Sequence, residues 1–146
     1  MSIMNGMNIS ASGMSAQRLR MDIISQNIAN VNTTRDENGD AYRRQVVVFE
    51  EKSSAPFSQY LTNATGTMTG NGVKVTKILK DTETPLNMVY DPSHPDANEE
   101  GYVAYPNVNT VTEMTNLIDA SRSYEANVTA FNATKSMALK GLEVGK

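Results

Sequence analysis

A single histidine, His94, stands in the run Asp91-Pro92-Ser93-His94-Pro95-Asp96, with Glu99 and Glu100 close behind. An imidazole among carboxylates is the raw material of a general base or a metal site, provided its partners are held rigidly. Two prolines bracketing it describe a surface turn more simply, the exposed tip of a hairpin. A second acidic run, Asp36-Glu37-Asn38-Gly39-Asp40, has the outline of a calcium loop. An EF-hand needs glycine in the sixth place and glutamate in the twelfth, and those places hold Ala41 and Val47. The calcium reading fails. The chain has no cysteine, which removes thiol nucleophiles, zinc–thiolate sites, iron–sulfur clusters and disulfides together. Nor does it carry a glycine-rich phosphate loop, a nucleophile elbow or a helix with paired metal ligands. No catalytic, cofactor or metal site is expected, and the chain is not expected to be an enzyme. A hydrolase built around His94 survives only as a weak alternative.

The whole composition points the same way. Of 146 residues, 39% are hydrophobic and 6% aromatic, too little for a large self-contained core. The net charge is −3, and Arg43-Arg44 is the sole adjacent basic pair, so a nucleic-acid partner is not expected. The longest aliphatic or aromatic run, Val46 to Phe49, falls far short of the ~20 residues of a membrane span. Before Gly6 there is neither a basic nor an apolar stretch of signal-peptide type, so cleaved secretion is not expected.

Spacing then supplies the elements. Alternate steps of four and three from Ile3 reach Met7, Ser10, Met14, Gln17, Met21, Ile24, Ile28 and Val31, a mostly apolar heptad seam. Gly6 and Gly13 weaken its start, and firm helix is expected from about Ser15. Similar stepping near the other end gives Met114, Leu117, Ser121, Tyr124, Val128, Phe131, Lys135, Ala138 and Leu142, with Ile118 and Leu139 widening the stripe. Thr110 or Thr112 is the expected cap; Glu113 and Asp119 early, and Lys135 and Lys140 late, suit the helix dipole. Each helix could reach ~30 residues, or about 45 Å. Between them Tyr42–Glu50 and Val73–Leu79 read as strands, each after an Asn-Gly step. Leu86–Tyr90 and Gly101–Tyr105 flank a proline- and acid-rich loop as a longer hairpin would. A loop is expected over 53–70. The order is α+β: helix over 1–34, a β-rich centre over 35–106, helix over 107–146.

Two helices alone bury one stripe each, so their outer faces should be charged to stay in water. The outer face of 1–34 is instead Asn, Ser, Thr, Ala and Met, with few charges. Neutral small residues on every side suggest neighbours on every side, so both helices are expected to be completed by other molecules. The polar breaks at Ser10, Gln17, Ser121 and Lys135 would fix register at some cost in stability. Methionines at 7, 14 and 21 fit either repacking against non-identical partners or ordinary core filling.

These residues carry a resemblance. Asn27-Ile28-Ala29-Asn30-Val31-Asn32-Thr33 resembles the Ala-Asn-x-x-Thr motif of the bacterial flagellar rod, hook and hook-associated axial proteins. At the other end Tyr105-Pro106-Asn107-Val108-Asn109, Glu113-Met114 and Ala120-Ser121-Arg122-Ser123-Tyr124-Glu125-Ala126-Asn127 look like the family's C-terminal helix. Small size, with Tyr42-Arg43-Arg44 and Tyr90-Asp91-Pro92, points to a proximal rod type. Where the wider family often has Gly-Tyr, this chain has Ala41-Tyr42, and its 55–70 stretch matches no motif.

The resemblance implies a structural subunit of the basal-body rod, exported unfolded by the flagellar type III apparatus without signal cleavage and assembled across the periplasm. It implies paired terminal helices at the inner tube wall, packed as a coiled-coil-like domain, with a small β-rich domain outside. Implied partners are further copies of the chain, rod subunits of the FlgB, FlgF and FlgG types, and the rod-base adaptor FliE. The alternative from another class is a soluble coiled-coil adaptor or scaffold of a secretion apparatus. Within the motif, Asn27 and Asn30 share a helix face, and either contact with a neighbouring helix or local capping would account for each.

Overall fold

Six elements follow one another in the computed structural model, which describes residues 3–36, 39–52 and 71–144. Helix α1 (Ile3–Ala29) and helix α2 (Thr110–Val144) hold the two ends. Strands β1 (Gln45–Glu51), β2 (Val73–Lys80), β3 (Asn87–Tyr90) and β4 (Tyr102–Tyr105) lie between them. The result is an α+β fold: β1 pairs with β2, β3 pairs antiparallel with β4, and the long terminal helices pack on each other. The expected loop over 53–70 lies outside the described residues.

Helix α1 begins at Ile3, well before Ser15, and so includes both glycines. The reason is tertiary. A Cβ on Gly13 would stand 2.8 Å from Asn127 Oδ1, too close for a side chain, and seven residues earlier Gly6 faces Thr134. Glycine costs an isolated helix about 1 kcal/mol relative to alanine, but here it lets α2 approach the backbone. At its other end α1 stops at Ala29, so Val31 sits in the following turn rather than on the helical seam. Helix α2 has 35 residues. Its cap is Asn109, one residue ahead of Thr110 and three ahead of Thr112: Asn109 Oδ1 accepts from the Val111 and Thr112 amides at 3.0 and 3.2 Å.

Contacts divide the chain into two units. The first takes in the described parts of Met1–Leu19, Val48–Lys77 and Ala120–Lys146. Its buried residues are small: Ser10, Ala16 and Ala120. Ser12 joins the sheet to α1, its hydroxyl donating to the Ile9 carbonyl at 2.7 Å and accepting from the Val73 amide at 3.0 Å. Gly72 approaches the same hydroxyl, its carbonyl accepting from the Lys52 amide at 2.8 Å.

The second unit comprises the described parts of Arg20–Val47 and Ile78–Asp119. Ile23, Ile24, Ala41, Val103, Pro106 and Val108 are buried in it. Strands β3 and β4 pair from Asn87 with Tyr105 to Tyr90 with Tyr102, whose rings meet edge-on at 5.3 Å. In the connecting loop His94 is half-buried, not an exposed tip. Its Nδ1 accepts from the Asp96 amide at 3.1 Å and its ring lies edge-on to Tyr105, so it serves the turn.

Candidate functional site

The helix residues named from the heptad pattern differ in exposure within the single chain. Of them Ile24 is buried, while Met7, Met14, Met21, Ile28, Val31, Leu117, Tyr124, Val128, Phe131 and Ala138 are half-buried. Ile3, Met114 and Leu142 are exposed. The buried helix positions are Ser10, Ala16, Ile23, Ile24 and Asn27 on α1 and Glu113 and Ala120 on α2, most of them small or polar, and Gly13 faces Asn127. Several large apolar side chains look outward. Val111 is 74% exposed and Leu142 72%, and Ile118, Met137 and Leu139 are also exposed.

At the centre of the second unit is a buried polar junction. Asn27, with no exposed surface, is held by every hydrogen-bonding position of its carboxamide. Its Nδ2 donates to the Gln45 carbonyl and to Glu113 Oε2, and its Oδ1 accepts from the Gln45 amide and the Tyr42 hydroxyl, all at 2.9 Å. Glu113 is 1% exposed. Its other oxygen, Oε1, accepts from Arg44 Nε at 2.9 Å and pairs with Nη2 at 2.8 Å. The arginine therefore grips one oxygen and leaves the second to Asn27. Asn107 extends the junction: its Oδ1 accepts from the Arg44 amide, and its Nδ2 donates to the carbonyls of Asp81 and Thr84. Burial, reinforced by the charge of Glu113, raises the Tyr42 hydroxyl above its ordinary value and keeps it a donor.

A carboxylate so placed has its charge compensated and its oxygens occupied, which suits a mechanical joint and leaves nothing to shuttle a proton. It ties α1, the approach to β1 and the first turn of α2 at one point. Three motif residues, Asn27, Tyr42 and Asn107, meet there, and buried Ala41 takes the place where the wider family often has glycine. Others work locally. Asn30 donates to the Gln26 carbonyl and accepts from Thr33 within the turn that follows Ala29, so the capping alternative describes its contacts in this chain. Pro106 is fully buried, Tyr105 meets His94, and Ser121 and Tyr124 are half-buried. Asn127 donates to the Ser123 carbonyl and faces Gly13. Sequence reading gave Glu113 a dipole role and a place in the family motif but not a buried partnership, and it named none of Arg44, Gln45 and Gly13 as a site residue. The tandem Arg43-Arg44 beside Tyr42 was the available signal.

Comparison with known proteins decides the family. A family model described as Flagella basal body rod protein matches residues 7–35, and one described as Flagellar basal body rod FlgEFG protein C-terminal matches 99–144. The chain is 49% identical to the flagellar basal-body rod protein FlgC of Bacillus subtilis, with 100% of both chains covered. It is 44% identical to that of Borreliella burgdorferi over 99% of this chain and 98% of the relative, and 38% identical to that of Escherichia coli O157:H7 over the whole of both. The chain belongs to the FlgC family. Like FlgC it is a structural subunit of the flagellar basal-body rod, and that rod is where it resides. The FlgC family is not enzymatic, so the hydrolase alternative falls, and the adaptor reading falls with it. Membership implies association with other flagellar rod subunits. Among the described residues no helix is long and apolar enough to cross a membrane.

Proposed function

We propose that the chain polymerises through the outward faces of its two terminal helices and passes torque along the rod by the area those faces share with neighbours. The supporting observation is the exposure of large apolar side chains along α2, from Val111, Met114 and Ile118 to Met137, Leu139 and Leu142. Each such side chain gains roughly 1.5–3 kcal/mol when fully covered, whereas an exposed ion pair contributes only about 0–1 kcal/mol. In this reading 1–34 and 107–146 build the axial part and 35–106 the outer part. The neighbours are copies of the chain and rod subunits of the FlgB, FlgF and FlgG types, with the adaptor FliE at the rod base. Export runs through the flagellar type III apparatus. The half-buried methionines of α1 add faces that repack against unlike neighbours.

Substituting Met137→Asn and Leu142→Asn together tests the reading. Both side chains are exposed in the single chain, so at a dilution where the purified protein is monomeric its helical circular dichroism should be unchanged while incorporation into basal bodies is lost. Cysteines placed at Met14 and Phe131 should cross-link between subunits in intact rods. Normal incorporation of the double variant would refute the proposal.

A further inference from the structure

In the first unit small residues mark where α1 and α2 approach. Gly6 and Gly13 oppose Thr134 and Asn127, and the neighbouring buried positions are Ser10, Ala16 and Ala120. Small residues of this kind permit close approach in several alignments. Glu113 does not. Shifted by one turn, its carboxylate would come level with Ile23 or with Val31, losing Asn27 and leaving a buried charge short of partners.

We propose that Asn27, Arg44 and Glu113 form a register lock: they allow the terminal helices to pair in one alignment, and only once the approach to β1 has docked. The second condition follows from where the bonds come from. Half of the Asn27 contacts are to the backbone of Gln45, and the cation that compensates Glu113 belongs to Arg44. Helices meeting without that segment would bury a carboxylate that lacks its cation. Buried polar groups commonly specify alignment at the expense of stability, because apolar groups of the same volume pack there as well or better. The lock acts within one chain, whichever subunit covers the outer faces.

The absence of cysteine lets engineered thiols report alignment in the full-length protein. Gly6→Cys with Thr134→Cys marks the native alignment; Gly6→Cys with Ala130→Cys or Ala138→Cys marks a shift of one turn either way. Under mild oxidation the native pair should form its intramolecular disulfide about tenfold in preference to the shifted pairs, a ratio corresponding to about 1.4 kcal/mol. In the background Asn27→Leu, Arg44→Met, Glu113→Leu, helix content should persist and that preference should collapse towards equality. Arg44→Met alone should reduce helix content and all three cross-links, and adding Glu113→Leu should restore the helix signal. An undiminished native preference in the triple background would overturn the lock. So would loss of helix in that background, since the network would then supply stability rather than alignment.

Discussion

Gly72 shows how much one residue can be asked to do. Its φ of +89° lies in the left-handed region that side chains rarely adopt, and an added Cβ would collide with the Ser12 hydroxyl. Gly72→Ala should therefore destabilise the fold by about 2 kcal/mol, seen as a lower urea midpoint. In a Ser12→Ala background the cost should shrink, since the hydroxyl collision is removed and the backbone strain and the tight approach to the Cβ of residue 12 remain. The Asn71-Gly72 step was visible in the sequence as a turn signal, because glycine after asparagine is a local preference. Glu113 was not visible in its true role. A glutamate in a helix's first turn reads as a partner for the dipole, and the residues that bury it, Asn27 and Arg44, are 86 and 69 positions away. His94 had the opposite fault: its chemistry drew notice that its geometry does not reward.

Titration bears on the joints between elements. Tyr42 bridges the approach to β1 with α1, and burial, then the charge of Glu113, raises its pKa above the ordinary 10.0. The fold thus favours the neutral phenol. The stability this contributes is complete below pH 10 and is lost as pH climbs through the raised value. The melting temperature should fall in that alkaline window, and a Tyr42→Phe protein should lack that step. Two turns behave in the reverse sense. Hydrogen bonds from the Thr84 amide and hydroxyl lower Asp81, and those from the Ser93 hydroxyl and amide lower Asp91. Their contributions are present above about pH 3.8 and disappear as pH falls through the lowered values. Element types were well legible: both helices, the strand pair after each Asn-Gly step and the β3–β4 hairpin follow from periodicity and turn chemistry. Boundaries were less so. The early start of α1 and the cap at Asn109 depend on contacts with α2 and on a side-chain rotamer, neither of which leaves a trace in spacing.

Taken as a whole molecule, the chain turns much of its bulky apolar surface outward, and its buried positions are mostly alanine, serine, valine and a polar junction, with Ile23, Ile24 and Pro106 the larger apolar ones. The heptad pattern located both helices and named their stripes as assembly positions, and most of those side chains are half-buried or exposed in the single chain. Periodicity reveals that a face is apolar; whether that face closes on the same chain or on another is decided by which side admits the closest backbone approach, here the glycine and small-residue side. Helix content of the purified chain should accordingly rise with protein concentration, in step with sedimentation. A fully helical particle of constant mass at every concentration would contradict this.

One side chain keeps a record of all this. Both carboxamide hydrogens of Asn27 are committed, one to the first residue of β1 and one to α2, so they trade with deuterium only when those segments part. The slowest side-chain amide signal in a nuclear magnetic resonance spectrum would then time each opening of the centre, a built-in clock for the pairing of the two ends.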